Sequence, residues 1–224
     1  MSFEIPQVFI SSTSEFAAER KELAQSLKSL PDFDFHPFIY EEEAAGPSSP
    51  ESHCRRMLDA SEIIVLILGA RYGSSFPGKP TSIVEWEYEY AKRAKKELKG
   101  YVQDPLAAAM DSNQAQFVAK ARAFRDGTWM RMFAQAPQLI ADVIADVKKW
   151  RLDSWKRLSE LALQRRQWKD RFVLAGCVAV AIATVGGIIA ATVLGVDWAK
   201  LAMILASGLT MLIALSFLLK TDVL

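Results

Sequence analysis

Three observations predict an α/β domain built on a parallel sheet, followed by a long helix and two transmembrane helices. Short branched apolar runs alternate with helix-period segments over residues 1–150, the pattern of a parallel sheet covered on both faces. One of these runs, Ile63-Ile64-Val65-Leu66-Ile67-Leu68, is apolar without a break, as a strand buried on both faces must be. Residues 172–224 then carry only two basic and two acidic side chains, too few for a soluble segment of that length. The predicted organisation is an α/β domain over 1–136, a basic connector helix over 137–171 and a two-helix membrane hairpin over 172–224.

The elements follow in order. Val8-Phe9-Ile10 is a first strand ending in Ser11-Ser12-Thr13-Ser14, and Phe16, Leu23, Leu27 and Leu30 lie on one face of the helix after it. Ser12 or Ser14 is the natural cap for that helix, and Pro31 stops it. Phe33 to Tyr40 reads as a second strand, and Glu41 to Pro50 as a loop whose acidic run Glu41-Glu42-Glu43 is most simply solvated. A short helix over Ser52–Ala60 leads to the apolar run at 63–68, and Gly69 opens a loop through Pro80. A helix over Ser82–Lys96, a strand near Lys99–Gln103, a helix from about Pro105 to Arg125 and a strand over Trp129–Phe133 complete the sheet. The last helix begins near Pro137 and can run unbroken through Trp150, Trp155 and Trp168.

Charge and hydropathy set further limits. The formal net charge is +1, and 51% of residues are hydrophobic. Residues 1–150 hold 18 basic and 21 acidic side chains, whereas 151–171 hold 7 basic and 3 acidic. A mildly acidic folded part without a basic stripe excludes nucleic acid as a partner. Cys54 and Cys177 lie far apart, and Cys177 sits in the apolar tail, so no disulfide framework is expected and a reducing compartment is. His36 and His53 have no Cys or carboxylate partner at ligand spacing, which argues against a metal site.

The tail reads as two spans. Residues 172–196 and 201–219 are uncharged on either side of Asp197-Trp198-Ala199-Lys200. At ~1.5 Å rise per residue they span roughly 37 and 28 Å, against a hydrocarbon core of ~30 Å. The N-terminal start lacks the basic and apolar regions of a signal peptide. Lys148, Lys149, Arg151, Lys156, Arg157, Arg165, Arg166, Lys169 and Arg171 precede the first span, so the positive-inside rule predicts a cytoplasmic N-terminal domain and a cytoplasmic C-terminus. Small residues recur every four positions from Ala175 through Ala179, Ala183, Gly187 and Ala191 to Gly195, a face that suits packing of the two spans or homo-oligomerisation in the bilayer.

Three segments together carry a family resemblance. They are Val8-Phe9-Ile10-Ser11-Ser12-Thr13 with Glu19-Arg20, Leu68-Gly69-x-Arg71-Tyr72-Gly73, and Thr81-Ser82-x-x-Glu85-x-Glu87-Tyr88-Glu89-x-Ala91. Over residues 5–103 the chain resembles the domain-of-unknown-function family 4062, which is related to TIR (Toll/interleukin-1 receptor) domains and more distantly to nucleoside deoxyribosyltransferases. The resemblance implies a flavodoxin-like fold with ligands at the carboxyl ends of the strands. It also implies one of two activities: cleavage of NAD at the nicotinamide–ribose bond, commonly in antiviral defence, or assembly alone. NAD would be the substrate, and no cofactor is implied.

N-glycosidic cleavage needs a base pocket, contacts to the ribose hydroxyls and a carboxylate near the anomeric carbon, where positive charge develops. Glu87 is the first candidate, since the catalytic glutamate of TIR domains precedes a small helix residue by four, as Glu87 precedes Ala91. It is expected near the helix face of Ile83, Tyr90 and Ala94. TIR enzymes often carry Trp four before that glutamate; here Ile83 stands there and Trp86 is adjacent, so Glu85 stays a second candidate. Glu85 also has a structural reading, as the far half of a capping box with Ser82. Glu89 pairs most simply with Arg93. Ser11, Ser12 and Thr13 are candidates to hold ribose or phosphate, as are Arg71 for a pyrophosphate, Tyr72 for a base and Gly73 for the turn between them. Arg71 has an equal alternative as a structural partner of Glu19 or Glu87. Two rivals to the enzyme stand: a nucleotide- or protein-sensing domain that controls a membrane-disrupting hairpin, and a non-enzymatic adaptor.

Overall fold

The computed structural model describes residues 5–42, 46–104 and 110–195. Five strands, β1 (Gln7–Ser12), β2 (His36–Phe38), β3 (Ile63–Leu68), β4 (Glu97–Gln103) and β5 (Met130–Phe133), form one parallel sheet in the order β2-β1-β3-β4-β5. The helices are α1 (Ala17–Lys28), α2 (Pro50–Ala60), α3 (Ile83–Arg93), α4 (Ser112–Ala121) and α5 (Ala136–Leu194). Every strand-to-strand connection carries a helix, as parallel pairing requires.

The period of two along each strand sorts the core into two layers. Val8, Ile10, Ile63, Val65, Ile67 and Tyr101 face Leu23 and Leu27 of α1 and Leu139, Val143 and Val147 of α5. Phe9, Ile64, Leu66, Leu68 and Val102 face the other way, onto Leu58 of α2, Val84, Tyr88 and Ala91 of α3, and Phe117 and Ala121 of α4. All six residues of β3 are buried, because both neighbours and both faces are occupied. From β1 the chain first moves outward to β2, then returns across the sheet to β3. That reversal opens a crevice at the carboxyl ends of β1 and β3.

Several boundaries differ from those read in the sequence. The second strand shortens to His36–Phe38, an edge strand where Pro37 costs no ladder bond, although Phe35 and Ile39 beside it are still buried. α3 stops at Arg93 rather than Lys96 because Lys95 adopts a left-handed φ of 55°. There Lys95 N–H donates to the Lys92 carbonyl at 3.1 Å and Lys96 N–H to the Ala91 carbonyl at 2.9 Å, closing the helix end. Ser12 and Ser14 do not cap α1: a turn of 3-10 helix, Ser14–Phe16, precedes it, and neither helix start has a side-chain cap. The start of the predicted 105–125 helix lies outside the described residues, and α4 runs from Ser112 to Ala121.

The chain divides into two compact units, with the boundary along the sequence between Arg151 and Leu152. The sheet unit extends beyond residue 136 because the first turns of α5 bury Leu139, Ile140, Val143 and Val147. Within Ala136–Ile189 the helix is long and apolar enough to cross a membrane by length and composition: its most apolar stretch has a mean hydropathy of 2.5, and none of it is buried. Trp168 and Phe172 lie on this helix with ring centroids 6.1 Å apart. The second predicted span, 201–219, lies outside the described residues.

Candidate functional site

A pocket of about 440 Å³ occupies the crevice. β1 contributes Ser11 and Ser12, followed by Thr13 and Ser14; the exit of β2 contributes Phe38, Tyr40 and Glu41. Cys54 comes from α2, Gly73–Pro77 from the loop after β3, and Ile83, Val84 and Glu87 from the start of α3. Ser82 orients that helix start: its side chain accepts the Glu85 N–H at 3.2 Å. Gly73 holds the loop in place with φ of +83°, and a Cβ there would come within 3.0 Å of Thr13 Cγ2. Glycine meets both demands at once.

Glu87 is buried and lines the pocket. Its burial is shared with Val84, Tyr88 and Ala91 of α3, and Ile83, one turn before it, lines the same pocket. The Ser11 hydroxyl donates to Glu87 Oε2 at 2.5 Å, and the Cys54 thiol also hydrogen-bonds the carboxylate. Burial raises the Glu87 carboxyl to about 7, against the opposing pull of Ser11, Arg20 and Cys54. Burial likewise pushes the Cys54 thiol up to about 12, with the charge of Glu87 adding to it. Cys54 is therefore a neutral donor at physiological pH and not a nucleophile.

Arg20 reaches the pocket from the buried side of α1. Its Nη1 donates to the carbonyl oxygens of Ser12 and Thr13, and its Nε donates to Glu41 Oε2 at 3.3 Å while Nη2 pairs with Glu41 Oε1. Burial alone would raise the Glu41 carboxyl, but the hydrogen bond and charge of Arg20, with help from Lys21, hold it below the usual carboxylate range. The arrangement can therefore do two things chemically. It offers one carboxylate that ionises near neutral pH, and one fixed guanidinium at the same cavity.

Residues 7–167 match the model of a family described as a domain of unknown function, DUF4062. The chain belongs to this family. A search of the curated proteins finds none that matches. A solved structure, described as a conserved protein from Enterococcus faecalis V583, is similar at 11% identity with a TM-score of 0.34, over 63% of this chain and 99% of that one. At that score the likeness has no bearing on fold or function.

In this DUF4062 protein the crevice gathers Ser11, Ser12, Thr13, Gly73 and Glu87 from three separated segments, and leaves out Glu85, Arg71 and Tyr72. Glu85 faces a second depression with Tyr72, Asn113, Gln116 and Lys120. Its carboxylate does not close a capping box: it takes the Tyr72 hydroxyl and, at 2.9 Å, Lys120 Nζ. Arg71 is exposed and pairs with neither Glu19 nor Glu87 among the described residues; its backbone N–H donates to Glu15 Oε1 at 3.2 Å. Thr13 Oγ1 donates to the same carboxylate oxygen at 2.8 Å. Glu89 pairs with Lys120 and lies 4.0 Å from Arg93. The described part of the acidic run is exposed, as expected, and it is also paired: Glu41 with Arg20, and Glu42 with Lys28 at 2.6 Å.

Sequence reading missed Arg20, Glu41 and Cys54 as pocket residues. For Arg20 a signal existed: it falls between Phe16 and Leu23 on the stripe that buries α1, where a charged residue demands a partner. Among the described residues no group of three or more His, Cys, Asp or Glu side chains is arranged to hold a metal ion.

Proposed function

We propose that this DUF4062 protein is a TIR-like domain of flavodoxin-like fold that cleaves NAD at the nicotinamide–ribose bond. The single observation that carries the reading is Glu87, a buried carboxylate lining a crevice at strand ends, which burial pushes up to about 7. In the reaction the C1′–N bond breaks and its electron pair returns to the pyridinium nitrogen, so nicotinamide leaves neutral without an acid. Ionised Glu87 stabilises the cationic sugar, and water adds at C1′ and gives up a proton to the carboxylate. Ser12, Ser14, Ser74 and Ser75 supply hydroxyls for the ribose, and Phe38, Tyr40 and Phe76 supply flat surfaces for a base.

The reading extends to the whole chain. The uncharged runs at 172–196 and 201–219 anchor it as two spans with both termini in the cytoplasm, where NAD is available. Small-residue faces bring copies together in the bilayer, and the role is antiviral defence through NAD loss or an NAD-derived signal.

A second reading has its own observation: the most apolar stretch of α5 is wholly unburied. On that reading the crevice senses a nucleotide or partner protein, and the helices disrupt the membrane. One experiment separates the two. On expression of the full chain, cellular NAD should fall before the membrane potential does. A potential that collapses while NAD stays constant would overturn the enzyme reading.

A further inference from the structure

The two edges of the Arg20 guanidinium do different work. Nη1 donates to the Ser12 carbonyl at 3.0 Å, the Ser12 hydroxyl at 2.5 Å and the Thr13 carbonyl at 2.7 Å, which fixes the plane of the group at the end of β1. The opposite edge, Nε and Nη2, grips both oxygens of Glu41. A guanidinium edge of that kind matches a carboxylate or a phosphate equally well. Among the described residues that line the pocket, Arg20 is the one cation.

The partners differ in how firmly they are held. Arg20 is buried on α1 beside Leu23, Ala24 and Leu27. Glu41 sits on a single turn, Tyr40–Glu42, none of whose residues is buried. If the pair opens, Glu41 has solvent to move into and Arg20 does not.

We propose that Arg20 binds the phosphate group of a phosphorylated ligand, and that Glu41 is a resident substitute which the ligand displaces. The proposal rests on reading the crevice as a nucleotide pocket and names the class it admits: nucleotides in preference to the corresponding nucleosides. The exchange keeps the buried guanidinium paired throughout, first with a carboxylate and then with a phosphate, so no bare charge is left in the pocket. A nucleoside without phosphate has nothing to offer Arg20 and meets a closed pair.

The test is calorimetric binding of ADP and of adenosine to the full chain in detergent micelles, with no turnover read. Wild type should favour ADP. Glu41→Gln should tighten ADP by about tenfold and leave adenosine unchanged, because the competing anion is gone. Arg20→Lys, which keeps the charge and loses the fork, should erase the preference. ADP binding that is unchanged or weaker in Glu41→Gln would overturn the proposal. A measurement on wild type alone covers a variant that fails to fold: ADP should speed amide exchange at Tyr40–Glu42, and unchanged or slowed exchange there counts against it. A chain that favours ADP in this way but releases no nicotinamide would sink the glycohydrolase and leave the Arg20 site standing. One that cleaves NAD without favouring ADP would do the reverse.

Discussion

Replacing Glu87 by glutamine should stabilise the protein at alkaline pH. The carboxyl moves from its ordinary 4.5 to about 7 on folding because burial disfavours its ionised form. The folded chain therefore holds a proton that the unfolded chain has already lost, and the contribution of Glu87 to stability is full below 4.5 and gone above about 7. A displacement of that size corresponds to about 3 kcal/mol. The substituted glutamine is nearly isosteric, can still accept from the Ser11 hydroxyl, and has no charge to desolvate. The assay is amide exchange of the β3 strand in the full chain, held in micelles at pH 5 and pH 8. Because β3 is buried throughout, its amides report global opening. Between the two pH values, wild-type protection should fall relative to Glu87→Gln by about a hundredfold. Parallel profiles for the two proteins would mean that Glu87 is not a buried titrating acid, and the reasoning on its environment would fail.

Nicotinamide release should follow the same carboxyl: kcat/KM rises with pH and levels off above about 7, while a flat profile from pH 5 to 9 would contradict an ionised Glu87 in the reaction. Gly73→Ala should cost about 1 kcal/mol in thermal or denaturant unfolding, since φ is +83° and the new Cβ meets Thr13. Glu85→Gln should lower stability by about 1 kcal/mol through weakened contacts to Tyr72 and half-exposed Lys120, with little effect on the pocket. A cysteine introduced at Ser2 should resist a membrane-impermeant thiol reagent in intact cells, and one at Lys200 should react; labelling at Ser2 would remove the domain from its proposed substrate.

The layout of the sheet was legible because burial writes itself in residue type. The run at 63–68 has no polar residue, and the structure buries every side chain of it. The stripe of Phe16, Leu23 and Leu27 likewise marks the buried face of α1. The ends of elements were harder, since Lys95 turns α3 off through a backbone conformation that lysine rarely adopts. At the site, Glu87 could be singled out, but its depth could not. It stands between Glu85 and Glu89 in a helix dense with charge, and only its spacing from Val84 and Ala91 marks the inward face. Arg20 and Glu41 are 21 positions apart, and their pairing depends on how β1 and β2 lie side by side. Tyr72 and Arg71 follow a central strand, as ligand-binding residues often do, yet the loop turns their side chains away from the crevice and brings Gly73 to it.

The central claim is that Glu87 supplies the reacting carboxylate, and a paired comparison tests it most directly. Full-length wild type, Glu87→Gln and Glu85→Gln are reconstituted at high density in lipid vesicles and given NAD, and nicotinamide release is followed. Wild type and Glu85→Gln should release nicotinamide and Glu87→Gln should not, although Glu87→Gln is the more stable protein above pH 7. Release that persists in Glu87→Gln, or that is lost in Glu85→Gln alone, would contradict the account.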